Sequence, residues 1–116
     1  MNILHFEDII AWQKAKSLTL QLYLALKASR DFSYRDQILR AATSIMNNIA
    51  EGFERKGDRE FRRFLSIAKG SCGEVRSMLY LGYELEYYSK EQFEDFYHST
   101  TEISRLLAGL MKTLDG

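Results

Sequence analysis

Arg40, Ser44, Asn48, Glu51, Ser71 and Glu74 are the residues whose types and spacing first suggest chemistry. They fall in the stretch RAATSIMNNIAEGFERKGDREFRRFLSIAKGSCGE, which reads as two long helices around a tight turn at Arg55-Lys56-Gly57. Ser44, Asn48 and Glu51 share one helical stripe with Ala41 and Arg55. In an antiparallel hairpin Arg40 falls opposite Gly73-Glu74, and Glu51 opposite Arg62. The expected pairs are therefore Arg40 with Glu74 and Glu51 with Arg55 or Arg62, with Ser44, Asn48 and Ser71 hydrogen-bonding between them. Partly buried charges need partners and can specify register, so the first role of this set is a structural polar network. A polar ligand site is the sharper role for the same residues.

A second group is basic. Arg55, Lys56, Arg59, Arg62, Arg63, Lys69 and Arg76 face three acids in the same stretch, for a local net charge of +4, whereas the segment from Glu84 onward carries −4. Arg62, Lys69 and Arg76 are seven apart and share a face that ends in Tyr80, Tyr83 and Tyr87. Cations beside aromatic rings can follow a phosphate backbone and stack bases, which makes the seven basic residues candidate nucleic-acid contacts. The same stripe also fits a solvated or subunit-facing surface, and the opposite charges of the two segments suit contacts between copies.

Catalytic chemistry finds little to start from. His5 and His98 have no ligand-spaced companions, and Glu91, Glu94, Asp95 and Glu102 lack the Glu-x-x-His pairs of di-iron bundles, so no metal is expected. Cys72 sits on an apolar stripe, where a thiol is inert filler. GSCGE lacks the strand and lysine of a phosphate loop. No enzyme activity, cofactor or small-molecule substrate is expected.

The elements that must position these residues follow from periodicity. The 116-residue chain has no proline, one cysteine, and 16 basic against 16 acidic residues. Those values fit one helical domain spanning 1–116 in a reducing cytosol, without a membrane span or signal peptide. Such neutrality argues against a small free-standing nucleic-acid binder. Apolar spacings of 3 and 4 predict helices at about 8–29, 34–54, 59–88 and 90–113. Asp8 or Glu7 is expected to cap the first, Ser33 with Asp36 the second, Asp58 the third, and Ser89 with Gln92 the fourth. Gly57 is expected to take the left-handed turn conformation, and Asp115-Gly116 to fray. Gly70, Gly73 and Gly82 suggest close backbone approach or a break near 68–73. Short connectors then favour an all-α, antiparallel up-down-up-down four-helix bundle. Two stripes of helix three serve the core of one bundle. Tyr80, Tyr83 and Tyr87 are left as a candidate subunit interface.

The segments FEDIIAWQKA, QILRAATSIMNNIAEGFER and EFRRFLSIAKGSCGEV resemble a bacterial four-helix-bundle family encoded in intervening sequences of large-subunit ribosomal RNA genes. Phe64, Leu65, Ile67, Ala68, Gly70, Ser71 and Glu74, paired with the NIAEG run, carry the resemblance, which extends from Phe6 to about Leu85. It implies an antiparallel bundle, a ring-shaped homopentamer and no enzymatic activity. A relative, the accessory variability protein of diversity-generating retroelements, implies RNA or DNA and a reverse transcriptase as possible partners. Arg40, Ser44, Asn48, Glu51, Gly52, Ser71 and Glu74 match the family pattern, where their role is architectural. The first connector here lacks the family's proline-containing segment, and the neutral charge departs from the basic retroelement relative.

The expectation is a cytoplasmic homopentameric scaffold. Its alternative is a nucleic-acid-binding accessory protein using the basic stripe of helix three.

Overall fold

The computed structural model describes residues 2–114; the fraying expected at Asp115-Gly116 lies outside them. Four helices make up the described chain: α1 (Ile10–Ala25), α2 (Phe32–Glu54), α3 (Asp58–Glu84) and α4 (Lys90–Lys112), with a single 3-10 turn at Phe6–Asp8. A helix of 27 residues is about 40 Å long at 1.5 Å per residue, so α3 alone accounts for the long dimension of the 43 × 21 × 19 Å molecule.

Contacts between helix ends establish the direction of each helix. Gly52, near the end of α2, packs on Phe61 and Phe64 at the start of α3. Tyr34, at the start of α2, donates to the carbonyl of Met78 near the end of α3 at 2.7 Å. Arg62 donates to the carbonyl of Leu114, and Lys14 pairs with Glu102 at 3.4 Å. The first two pairs set α3 antiparallel to α2, the third sets the start of α3 against the residue that follows α4, and Lys14 ties α1 to α4, so the four helices pack as the expected all-α bundle.

The core follows the apolar spacing. Ala11, Ala15, Leu18 and Leu22 from α1 meet Ile38, Ala42, Ile45 and Ile49 from α2. Phe61, Leu65, Ala68, Cys72, Val75 and Leu79 from α3 complete it with Ile103 and Leu107 from α4. Side chains three and four apart share a helix face, which is why these stripes close on one another. The second stripe of α3 behaves differently from expectation. Phe64 and Ser71 are buried, but Ile67, Leu81 and Leu85 are exposed.

The helix ends correct several expected boundaries. The first helix starts at Ile10 instead of 8, without a side-chain cap. Ile9 takes an extended conformation that buries its side chain, and this separates the 3-10 turn from α1. Helix α1 also stops at Ala25, four residues before the expected end. Asp31, in place of Ser33, caps α2: its Oδ1 accepts the Tyr34 amide at 3.1 Å. At the next turn Lys56 carries the positive φ of 61°, while Gly57 is extended and precedes α3 as its N-cap, so Asp58 is the first helical residue.

Helix α3 passes through Gly70 and Gly73 without a break and ends at Glu84, not 88. There Glu86 takes φ 63°, its amide bonds the Tyr83 carbonyl, and the Tyr87 amide bonds the Gly82 carbonyl at 2.8 Å. This is a Schellman stop formed without the usual glycine, and it turns Tyr87 and Tyr88 back onto α2. Ser89 and Gln92 form the expected capping box, with bonds of 3.0 and 2.9 Å.

Candidate functional site

Ser44, Asn48 and Ser71 meet across the α2–α3 seam. The Asn48 amide donates to the Ser44 carbonyl at 2.8 Å and to Ser44 Oγ at 2.9 Å, and Ser71 Oγ donates to Ser44 Oγ at 3.0 Å. Ser44 therefore accepts twice, which leaves its own proton free to donate. Glu51 pairs with Arg55 at 2.9 Å. The expected pair of Arg40 with Glu74 does not form: both side chains are exposed, and neither has an ion pair among the described residues. Ala41 is buried, and each helical step turns a side chain by about 100°, so Arg40 swings past the seam toward α1. There it lines a groove with Tyr23 and Lys27.

The basic residues do not form a single row. Arg55 bonds Glu51 and approaches Glu60 at 3.9 Å, and Arg63 bonds Glu60 at 3.0 Å. Both guanidinium groups lie over the Phe64 ring, at 5.1 and 4.7 Å. The hydrogen bond from Arg63 is the main reason the Glu60 carboxyl is held below the usual carboxylate range; burial opposes it, and the charges of Arg63, Arg55 and Arg59 add to the lowering. Arg62 is tied to Leu114 on the α4 side. Lys56, Arg59 and Lys69 remain exposed, and Arg76 is half-buried.

The tyrosines separate as well. Tyr80 packs on Phe93 and Tyr97 with ring centroids 5.4 and 5.6 Å apart, and Tyr83 stacks on Phe93 at 4.8 Å. Tyr87 lies past the helix end and donates to Asp31 Oδ2. The hydrogen bonds from Tyr87 and the Tyr34 amide hold the Asp31 carboxyl low, and the same bond raises Tyr87.

Sequence reasoning missed the cluster built around Tyr34. Its Oη lies 3.0 Å from that of Tyr88, and its ring meets Tyr87 edge-on at 5.1 Å. Burial pushes Tyr34 well above the ordinary phenol range and raises Tyr88 as well. The adjacent Tyr87-Tyr88 pair next to a helix stop was the available signal. Cys72 is buried as expected, and burial pushes its thiol up to about 11.

A groove of about 800 Å³ runs between the end of α1 and the outer face of α2. Tyr23, Lys27, Arg35, Arg40, Ser44 and Asn47 contribute to its walls over Leu26 and Leu39. Among the described residues no His, Cys, Asp or Glu group can hold a metal ion, and no helix is long and apolar enough to cross a membrane.

The chain is similar in fold to a crystal structure from Bacteroides thetaiotaomicron VPI-5482, described as a protein with unknown function from the S23 ribosomal protein family. The two share 30% identity with a TM-score of 0.82, over 89% of this chain and 99% of the other. No curated protein matches it. The family described as 23S rRNA-intervening sequence protein matches residues 7–109. With both central motifs inside a match that covers most of the chain, this chain belongs to the 23S rRNA-intervening sequence protein family.

Proposed function

We propose that the chain is a non-enzymatic scaffold of the cytosol that assembles with copies of itself into a closed ring, a homopentamer. The observation that carries this reading is apolar surface on two separate faces. On α1, Ile10 is 52% and Leu24 63% exposed; at the end of α3, Leu81 is 50% exposed and the capping residue Leu85 45%. A monomer has little reason to keep large apolar side chains in water on both sides. Two different faces that fit each other generate a head-to-tail contact, and a ring forms when its rotation closes. The family resemblance supports five copies. Tyr80 and Tyr83 remain at the rim of the α3 face, although Phe93 and Tyr97 already cover part of their rings.

A nucleic-acid contact along α3 has less support, because Glu51 and Glu60 already neutralise Arg55 and Arg63. Sedimentation velocity at micromolar concentration tests the assembly. A species near five times the 13.5 kDa chain mass is expected, and Leu24→Glu or Leu81→Glu should dissociate it. A wild-type chain that sediments at 13.5 kDa overturns the reading.

A further inference from the structure

We propose that the groove between α1 and α2 binds a nucleoside phosphate, either as a free nucleotide or as part of a single strand. The inference goes beyond the assembly reading. The groove is built within one chain, whereas Leu24 lies on the other flank of α1, beside Gln92 and Asp95 of α4, and Ile10 lies beside Arg105.

The walls of the groove are rich in donors and poor in carboxylates. Lys27 and Arg40 carry charge without an ion pair among the described residues. The one acid in the wall, Asp36, is held by its neighbour Arg35 at 3.3 Å. Ser44 adds a hydroxyl proton, because its oxygen already accepts from Asn48 and Ser71. Cations and hydroxyl donors converging on one concavity fit a group with several anionic oxygens, and phosphate is that group.

The remaining features fit a flat heterocycle. Tyr23 is 52% exposed at the rim, with its ring free for stacking. Asn47 offers an amide, which can donate and accept along a base edge. Leu26 and Leu39 give an apolar floor, and about 800 Å³ lies within the range of ligand sites, roughly 300 to 1,000 Å³.

The test uses the full chain at low salt with three probes: adenosine monophosphate, a fluorescein-labelled ten-residue oligouridylate, and inorganic phosphate. Saturable binding of at least one nucleotide probe, tighter than inorganic phosphate, is expected. Arg40→Ala should weaken it about tenfold, Arg40→Lys should recover part, and Tyr23→Ala should weaken it while far-UV circular dichroism stays unchanged. Lys69→Ala with Arg76→Ala should leave it intact. For the oligouridylate, two phosphate contacts give a log–log salt slope of about −1.4. Binding of the monophosphate alone points to a free nucleotide, and a clear preference for the oligouridylate points to a strand. Three results each overturn the proposal: no saturable nucleotide binding, binding unaffected by Arg40→Ala, or inorganic phosphate binding as tightly as the nucleotides. Sedimentation of the same samples reads the assembly separately.

Discussion

Tyr87 donates its phenolic proton to one oxygen of Asp31, while the other oxygen of that carboxylate accepts the amide of Tyr34. One side chain thus caps α2 and fastens the segment that follows α3. Both bonds favour the charged carboxylate, so the folded state holds the pKa of Asp31 below its ordinary value of 3.8. Its stabilising contribution is complete above about 3.8 and is lost as pH falls through the lower folded value, because the unfolded chain takes up the proton first. Asp31→Asn should lower the urea midpoint at pH 7 and flatten the acid limb of the stability profile. An unchanged acid limb in urea titrations at pH 2 to 5 would remove this role.

Alkali should act through the opposite linkage. Burial raises the Cys72 thiol from 9.0 to about 11 and also raises Tyr34 and Tyr88. An acid with a raised folded pKa contributes fully below its unfolded value, and that contribution fades as pH climbs to the folded one. Between pH 9 and 11 the Cys72 contribution should fall by an amount on the order of 3 kcal/mol. Cys72→Ala should make that part of the profile shallower. Thiol labelling at pH 8 should proceed only as fast as the bundle opens.

Glycine replacements should divide by sign. A Cβ at Gly82 would collide with the Tyr34 and Tyr88 rings, so Gly82→Ala should destabilise by about 1 to 3 kcal/mol through overpacking. Gly70 has open space around it in the middle of α3, and Gly70→Ala should stabilise by about 1 kcal/mol through helix propensity. Thermal melts of the two variants check both signs.

The serine pair across the α2–α3 seam should show coupling. Ser44→Ala and Ser71→Ala should each cost about 1 kcal/mol, with the double variant costing less than the sum. A double-mutant cycle by urea denaturation measures the difference, and strict additivity would mean that the hydroxyls do not cooperate.

The stripes of Ile38, Ala42, Ile45 and Ile49 and of Leu65, Ala68, Cys72 and Val75 were readable because burial imposes helical spacing directly on residue type. The Ser89–Gln92 box was readable because its signal is local. Other features depend on what lies across space. Glu86 stops α3 without glycine because Tyr87 and Tyr88 gain a buried partner in Tyr34. Arg40 and Glu74 looked complementary from their offset within a hairpin. Offset sets height along a helix pair but leaves azimuth open, and azimuth sent Arg40 toward α1. The groove was hidden for the same reason, since Tyr23 comes from α1 and Lys27 from the turn that follows it.

The two ends of the α2–α3 hairpin are fastened by different materials. At the turn, Glu51, Arg55, Glu60 and Arg63 form an exposed ionic mesh, while the far end is held by Tyr34, Tyr87 and Tyr88 against Gly82. Sodium chloride at molar strength screens the first and leaves the second in place. Amide hydrogen exchange should therefore quicken around Gly57 in brine while staying slow around Tyr34, so the hairpin unzips from a chosen end.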